Sequence, residues 1–497
     1  MTSSDTPPSQ SRLAVGAELE LIFSDLLANG QAVGRANGWV IFCFGPLPNE
    51  KARVRVTSVK QKYSVAHMVQ LLVRSPQRAV PFCAVFGSCG GCQVQHFSYD
   101  GQLAWKTGVV RNALSRIGGF EDVAVRAAIG MVHPRSYRNK MSLVVDHKGT
   151  VPSIGFYKQR SHDVVAIDGC PIVTPQLDAY IGRLNAARTK PATAELFRPA
   201  RHIVSRNARA TGEAVVTVTT PQLSQEVERT GTALLSQLPG AVGLTNSYEL
   251  NSANAIVGRR HRLVFGRGEI EEQIAGVRYR VSAGSFFQVN VEIVDRIFAF
   301  LKPGLQVPRK IVDLYCGAGT FALYFASLGC DVYGIEESSQ AILEAEENAK
   351  LNGLEARVRF RAGRVEDNIQ TLEANAALKD AEIVFLDPPR KGSDETTLSA
   401  LAAAGTPYVW YLSCDPATLA RDLKFLAVNG YRLGVVQPFD MFPQTGHVET
   451  LVTLYRENPA PREALRSAFL DVTEPTWPRD EFATDQREYP DFVIRED

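Results

Sequence analysis

The chain has 497 residues, of which 45% are hydrophobic and 22% are charged, as in ordinary soluble globular proteins. This length predicts about three domains. The sequence contains no run of 18 apolar residues and no apolar stretch near Met1, which argues against a membrane span and a secretory signal, so we expect a cytoplasmic protein. The net charge is only +1, but residues 1–170 carry 19 basic and 11 acidic side chains. This basic first third points to a polyanionic partner, and an ordinary solvated surface explains it almost as well.

Short β runs separated by turn residues dominate the first part of the chain. Residues 1–10 are polar and are predicted to form a disordered tail. Runs at 18–24, 38–44 and 52–60 predict a small β-barrel over residues 11–73. On its surface, Arg53, Arg55 and Lys60 would place positive charge on one strand face, either for an oligonucleotide or simply for solvation.

The rest of the chain is predicted to form two further domains and an extension. Residues 74–284 are expected to form a central β-rich domain, with strands at 142–146, 153–157 and 213–218 and helices at 100–117 and 175–187. From 285 to 456, strands and helices alternate, which is typical of a parallel, doubly wound sheet, here with an antiparallel end. Residues 457–497 are rich in acids and prolines and are predicted to form an acidic extension, mostly unfolded or lying as a strap over the surface.

A glycine-rich loop predicts a cofactor site. The segment DLYCGAGT at 313–320 follows a strand and opens a helix, and Gly317 and Gly319 would let the backbone approach a ligand closely. The next strand ends at Glu336, an acid that can accept hydrogen bonds from two ribose hydroxyls. The absence of a third glycine favours a single nucleoside, with S-adenosylmethionine the usual candidate, although a tight structural turn would look similar.

Two more strand ends carry candidates for catalysis. Asp387 lies in FLDPPRKG, and Cys414 lies in YLSCDP just before a helix whose N-terminal field would stabilise a thiolate. A buried, inert cysteine is the alternative. A thiolate beside a methyl donor can add to carbon 6 of a pyrimidine, so that carbon 5 can take up a methyl group and then lose its proton to a base. Glu449 is the best base, and His447 competes with it.

Together, DLYCGAG, FLDPPRKG, YLSCDPATLARDL and MFPQTGHVETL resemble the uracil-5-methyltransferases that act on ribosomal or transfer RNA. The resemblance covers residues 12–456. It implies an N-terminal OB-like TRAM β-barrel, a central β-rich domain and a C-terminal Rossmann-like class I methyltransferase domain. It also implies that Cys414 is the nucleophile, that Glu449 is the general base, and that the cofactor is contacted by Gln288, Tyr315, Thr320, Glu336 and Asp387.

The cysteines suggest a metal centre. Cys83, Cys89 and Cys92 share one loop, and Cys170 can supply a fourth ligand. Four cysteines suit a 4Fe–4S cluster or a zinc ion, and their spacing alone does not separate the two. The pattern is similar to the iron–sulfur branch of the same family, which favours the 4Fe–4S cluster and 23S ribosomal RNA as the substrate.

The sequence therefore predicts a monomeric enzyme that uses S-adenosylmethionine to methylate carbon 5 of a uridine in RNA. Basic and aromatic residues interleaved over 135–160 suit phosphates and splayed bases, or equally an ordinary strand surface. Transfer RNA is an alternative substrate. Cytosine C5-methylation is disfavoured because no Pro-Cys motif is present, and a non-catalytic RNA-binding protein is disfavoured because Cys414 and Glu449 are both in place.

Overall fold

The computed structural model describes residues 13–252, 255–307 and 309–456, which separate into two compact units. Within the described residues, the first unit comprises 13–87, 92–102 and 444–446, and the second comprises the remainder. The predicted tail at 1–10 and the acidic extension at 457–497 lie outside the described residues. The predicted domain boundaries at 73/74 and 284/285 stay predictions.

The first unit contains a closed barrel of five strands in the order β1-β2-β3-β5-β4. Alternate side chains such as Phe23, Val54 and Val56 fill its interior, as the period of two in a strand requires. The strands are β1 (Glu18–Leu26), β2 (Gln31–Ala36), β3 (Trp39–Phe44), β4 (Lys51–Val59) and β5 (Tyr63–Val73). The predicted small barrel is therefore confirmed.

The arginines on the predicted positive face of this barrel are matched by acids. Arg53 pairs with Glu20 at 3.0 Å, and Arg55 pairs with Glu18 at 2.6 Å, both across the β1–β4 pair. Ion pairing between the two strands therefore largely neutralises the charge that the sequence suggested.

A seven-stranded mixed sheet, which we call the central sheet, follows in the second unit with the order β12-β11-β10-β9-β6-β7-β8. Its strands are β6 (Lys140–Asp146), β7 (Ser153–Tyr157), β8 (Val164–Ala166), β9 (His202–Asn207), β10 (Ala214–Thr219), β11 (Ala241–Tyr248) and β12 (Arg260–Gly266). A separate hairpin comprises β13 (Glu269–Ile274) and β14 (Val277–Ser282).

Helices accompany this part of the chain. They are α1 (Tyr99–Ala113), extended by a π-helical turn at Leu114–Gly118, α2 (Pro175–Ala187), α3 (Ala194–Phe197) and α4 (Gln225–Leu235). The sequence predicted a single helix between 123 and 284, which is wrong because α3 and α4 are also present. Thr230 and Gly231 fall on the buried face of α4 and obscure its apolar stripe, although Ser224 caps its first turn.

The C-terminal sheet has the order β17-β16-β15-β18-β19-β21-β20, with five parallel strands and an antiparallel end. Its strands are β15 (Lys310–Leu314), β16 (Asp331–Glu336), β17 (Val358–Ala362), β18 (Ile383–Leu386), β19 (Tyr408–Ser413), β20 (Tyr431–Phe439) and β21 (Glu449–Arg456). The helices are α5 (Val291–Leu301), α6 (Thr320–Ser327), α7 (Ser339–Leu351), α8 (Val365–Asn368), α9 (Leu372–Asp380), α10 (Glu395–Ala404) and α11 (Pro416–Val428). The predicted doubly wound sheet is confirmed.

Two features of this sheet set the position of a site. The strand order reverses between β15 and β18, and ligands bind such sheets in the crevice at the carboxyl ends of the strands beside that reversal. Val110 and Leu114, from α1 and the π-helical turn, belong to the same buried cluster as Leu314 and Leu419.

None of the helices within the described ranges is long and apolar enough to cross a lipid bilayer.

Candidate active site

The predicted site residues lie at the strand ends that line this crevice. Tyr315 follows β15, Asp387 follows β18 and Cys414 follows β19, whereas Glu336 is the last residue of β16. Glu449 begins the antiparallel strand β21, so it lies at the same edge as the ends of the parallel strands. The topology therefore brings together residues that are more than 130 positions apart in sequence.

The loop after β15 has a backbone shape that requires its glycines. Gly317 and Gly319 have φ angles of +54° and +81°, and even Tyr315 has a φ of +68°. A Cβ added to Gly317 would meet nothing within 4 Å, so that side of the loop is open to a ligand. Thr320 then begins α6, and its carbonyl accepts a hydrogen bond of 2.9 Å from the hydroxyl of Tyr279.

Glu336 is tied to this loop. Its carboxylate accepts hydrogen bonds from the backbone N–H groups of Gly317, at 3.1 Å, and Ser338, at 2.9 Å. Carboxylate oxygens have further lone pairs, which remain available for ribose hydroxyls. The predicted partnership of the glycine loop with Glu336 is therefore present in the fold.

Carboxyl groups crowd this edge of the sheet, and their charges suit a cationic ligand. Burial raises the pKa of Asp313 well above its ordinary value, and the charges of Asp387 and Glu336 raise it further. Burial also raises the pKa of Asp387 to about 7. S-adenosylmethionine carries a sulfonium and an ammonium group, so its binding would relieve this repulsion. The residues present therefore fit this cofactor.

Gln288 lies on a segment held from the central sheet. The backbone N–H of Asn139 donates to the carbonyl of Val289 at 3.0 Å, and the side-chain amide of Asn139 is 3.4 Å from the carbonyl of Gln288. Two residues earlier, the ring of Phe286 is 77% exposed. The structure thus presents an exposed aromatic ring beside the predicted cofactor contact.

The loop that carries Asp387 is anchored on α11. The buried hydroxyl of Tyr411 donates to Asp422 at 2.6 Å, and Asp422 also accepts from the backbone N–H of Ser393 at 2.9 Å. Thr418 donates to the carbonyl of Arg390 at 3.1 Å. These contacts fix the loop that follows Asp387.

Cys414 is half-buried at the crevice, but its thiol is not activated in the way that the sequence predicted. Burial, together with the charges of Glu449 and Asp387, raises the pKa of this thiol to about 12. Asp415 caps α11 by accepting from the N–H groups of Ala417 and Thr418, at 2.9 and 3.0 Å. The expected helix-terminal stabilisation of a thiolate is therefore outweighed by burial and by the two neighbouring carboxylates.

The strand register places Glu449 beside Cys414. Ser413, the last residue of β19, pairs with Thr450 across the antiparallel β19–β21 ladder, so Cys414, which follows β19, faces Glu449, which precedes Thr450. Glu449 is only 5% exposed, and burial together with the charge of Asp387 raises its pKa to about 8. A carboxyl group with this pKa is suited to proton transfer near neutral pH.

His447, the competing base, is close to a cation that the sequence analysis passed over. Its Nε2 lies 3.4 Å from a guanidinium nitrogen of Arg390. Burial, followed by the charge of Arg390, lowers the pKa of His447 to about 4. The same guanidinium lowers the pKa values of Cys414 and Glu449 against the effect of burial. Arg390 follows Asp387 by three residues in the same FLDPPRKG motif, which is the sequence signal for its position.

The segment that leads to His447 and Glu449 is held by buried polar contacts. The ammonium of Lys106 on α1 pairs with Asp440 at 2.5 Å, and both side chains are fully buried. Asn290 donates to the carbonyl of Met441 at 3.1 Å, and the hydroxyl of Tyr137 donates to that of Pro443, also at 3.1 Å. No sequence signal identifies these partners, because each contact joins residues at least 150 positions apart.

The predicted metal ligands are not brought together as one group. Cys83 and Cys92 belong to the first unit, whereas Cys89 and Cys170 belong to the second. Across the parts of the chain that the structure describes, no group of three or more His, Cys, Asp or Glu side chains is arranged to hold a metal ion. The described residues therefore do not support the predicted iron–sulfur cluster or its zinc alternative.

Comparisons with known proteins agree with this geometry. Residues 215–457 match the family model of the tRNA (uracil-5-)-methyltransferases, and residues 12–69 match that of the TRAM domain. An uncharacterized RNA methyltransferase of Listeria innocua is 36% identical over 452 residues, which cover 89% of this chain and 99% of that protein. A second, from Halalkalibacterium halodurans, is 35% identical over 454 residues, which cover 88% and 97%.

A solved structure has the same architecture. The tRNA (uracil-54, C5)-methyltransferase of Pyrococcus abyssi, in complex with S-adenosyl-L-homocysteine, superposes with a TM-score of 0.68 and is 26% identical. The match covers 88% of this chain and 100% of that one. Together with the relatives above, it shows that the chain belongs to the family of RNA uracil-5-methyltransferases with an N-terminal TRAM domain.

Proposed function

We propose that this protein methylates carbon 5 of a uridine in 23S ribosomal RNA, using S-adenosylmethionine and the thiol of Cys414. The observation that carries the proposal is the β19–β21 register, which sets Cys414 against the buried carboxyl of Glu449 at the edge that holds the glycine loop. A thiol, a base and a nucleoside-binding loop are the three parts that this chemistry needs.

Each of three residues has its own role in the proposed reaction. Cys414 gives its proton to solvent, and its sulfur bonds to carbon 6 of the uracil as the π bond between carbons 5 and 6 breaks, which leaves an enolate with a nucleophilic carbon 5. S-adenosylmethionine, when bound, supplies an electrophilic methyl group to that carbon. Glu449 then removes the proton from carbon 5, the bond between sulfur and carbon 6 breaks, and Cys414 leaves as a thiolate. Asp387 is held at the crevice beside both side chains, where it can orient the ring.

Two variants test these roles. Cys414→Ala is expected to bind RNA normally but to transfer no methyl group. Glu449→Gln is expected to form the covalent bond to RNA and to release it slowly, so that a protein–RNA adduct accumulates on a denaturing gel. A matched variant, His447→Gln, distinguishes the competing base. If His447→Gln accumulates the adduct and Glu449→Gln does not, the base is His447; if Cys414→Ala methylates RNA, the mechanism is wrong.

The choice of ribosomal over transfer RNA rests on the sequence. Its support is the similarity of Cys83, Cys89, Cys92 and Cys170 to the iron–sulfur branch of the family. A 4Fe–4S cluster on these cysteines therefore remains a proposal drawn from sequence alone, as do the monomeric state and a cytoplasmic location. Nucleoside mass spectrometry of separated 23S and transfer RNA, from strains with and without the protein, would identify which RNA loses 5-methyluridine. Visible absorption of protein purified without oxygen would test the cluster.

A further inference from the structure

Three cations of the second unit are gathered at one point beside the segment that carries Gln288. Lys140 on β6 and Arg206 on β9 are cross-strand partners, and Nε of Arg138 donates to the carbonyl of Lys140 at 3.1 Å. Lys140 and Arg206 both donate to the carbonyl of Ser285, at 3.2 and 2.9 Å. We call Arg138, Lys140 and Arg206 the cation cluster.

The charge of the cation cluster is not matched by neighbouring acids. Its members form no ion pair with a carboxylate of the described residues, although the charges of Glu344 and Glu272 act on Arg206 from a greater distance. Arg206 is 1% exposed, and its Nε and Nη1 have no hydrogen-bond partner within the described ranges. Burying a cation without a paired anion is costly, so this arrangement disfavours the ligand-free fold.

The pKa values of two members of the cation cluster are lowered, as expected for buried cations without paired anions. Burial, followed by the charges of Arg206 and Arg138, lowers the pKa of Lys140 to about 7. Burial also lowers the pKa of Arg206 to about 9. Strongly shifted cations beside a crevice are typical of places where a ligand supplies the missing charge.

The cation cluster lies close to the proposed catalytic residues. The charge of Arg138 contributes to lowering the pKa of His447, two residues before the proposed base Glu449. Ser285, whose carbonyl the cluster holds, directly precedes the exposed ring of Phe286. Cations next to an exposed aromatic ring are suited to a nucleotide, which offers a phosphate and a base face together.

From this geometry we infer that Arg138, Lys140 and Arg206 form a binding site for a phosphodiester group of the RNA strand next to the target uridine. Arg138 and Lys140 are half-buried and contact the phosphate, and Arg206 contributes its charge from behind them. A phosphodiester brings one negative charge and two free oxygens, which an ammonium and a guanidinium bind strongly. The inference rests on the proposed function only in taking RNA as the ligand.

Lys140→Met and Arg138→Met test the site. The probes are a full-length 23S ribosomal RNA transcript and a mixed transfer-RNA fraction, with dissociation constants measured at several salt concentrations. For the RNA that the wild type binds more tightly, we expect each variant to weaken binding about tenfold and to reduce the salt slope by about 1. Lys148→Met, which removes an exposed lysine just beyond β6, is the matched control and should bind RNA normally.

Calorimetric binding of S-adenosylmethionine to the same proteins separates the alternatives. Unchanged cofactor affinity with weakened RNA binding supports the inference. Weakened cofactor affinity with normal RNA binding would instead assign the cluster to the cofactor carboxylate, and no change in either would make the cluster structural; both results overturn the inference.

Arg206→Met adds a readout that a structural arginine would not give. Because it removes a buried charge without a matching anion, we expect its melting temperature to stay equal or rise while RNA binding weakens. A lower melting temperature with normal RNA binding would count against the inference. The proposed function fails separately, if the wild type binds RNA but produces no 5-methyluridine.

Discussion

The second unit contains a buried ion pair that is matched in charge, and it also buries two neighbouring carboxyl groups that are not. Lys106 and Asp440 are both fully buried and lie 2.5 Å apart, and Lys106 also donates to the carbonyl of Phe442 at 3.2 Å. Glu449, a few residues further along the chain, is 5% exposed and is repelled by Asp387. The Lys106–Asp440 pair holds the segment that leads to Glu449 in place. Glu449 and Asp387 repel each other, and a cationic ligand can relieve that repulsion. Pairing, rather than burial, therefore separates structural from functional charges here.

Breaking the matched pair gives the largest expected effect on stability. Lys106→Met leaves Asp440 buried without its cation, which should lower the free energy of unfolding by about 3–5 kcal/mol. The double variant Lys106→Met/Asp440→Leu should recover most of that loss, because no charge is then left unpaired. Chemical denaturation of the three proteins, followed by circular dichroism, measures both changes.

The surface provides a matched control for this prediction. Lys310 and Asp380 form a lysine–aspartate pair of nearly the same length, 2.6 Å, but both side chains are more than half exposed. Lys310→Met should therefore cost far less stability than Lys106→Met. Equal losses for Lys106→Met and Lys310→Met would show that the buried pair does not stabilise the segment.

Removing the unmatched carboxyl of Glu449 should raise the stability of the protein, whereas breaking the matched pair lowers it. The pKa of Glu449 is about 8 in the folded protein, above the ordinary value of 4.5, so the folded state keeps a proton that the unfolded state loses. Its contribution to stability therefore falls as the pH rises from about 4.5 to about 8. Glu449→Gln should be more stable than the wild type at pH 8 by about 2 kcal/mol or more, and the difference should shrink at pH 5. Melting curves of the ligand-free proteins at both pH values test this; a difference independent of pH would contradict it.

The sequence allowed the residues at this edge of the sheet to be located because its signals are local. Glycines with positive φ, an acid at the end of β16 and a cysteine at the end of β19 each lie within a short motif, and the parallel sheet brings those motifs together. The partners of Lys106 and Arg206 could not be predicted. The elements that carry these two residues, α1 and β9, meet those partners only through tertiary packing. The thiolate prediction failed for a related reason: the sequence shows that a helix follows Cys414, but not that Asp415 caps it and that burial outweighs the helix field.

The pH dependence of methylation tests the unmatched carboxyl through the reaction. A base must be ionised to accept a proton, so the ionisation of Glu449 should add a rise in kcat/KM of about tenfold per pH unit below about 8, on top of the rise that ionisation of the Cys414 thiol imposes throughout this range. Asp387, with a pKa of about 7, titrates in the same range and should steepen the lower part of the curve. Initial rates measured from pH 5.5 to 9 with saturating cofactor show the limb. A limb near 4.5 would mean that Glu449 is not the base or is not buried in the working enzyme.

The smallest expected effect concerns the barrel, where charges are paired but exposed. Arg55 lies 2.6 Å from Glu18, and both side chains are nearly half exposed, so Arg55→Ala should change the free energy of unfolding by less than about 0.5 kcal/mol. Because Glu18 neutralises this arginine, RNA affinity should change by less than about twofold, whereas Glu18→Gln should strengthen RNA binding by freeing a cation. Anisotropy titrations with the same RNA used for Lys140→Met allow a direct comparison. If Arg55→Ala weakens RNA binding as strongly as Lys140→Met, then ion pairing does not determine which cations of this protein bind RNA. The number of basic residues in the first third of the chain would then predict RNA binding better.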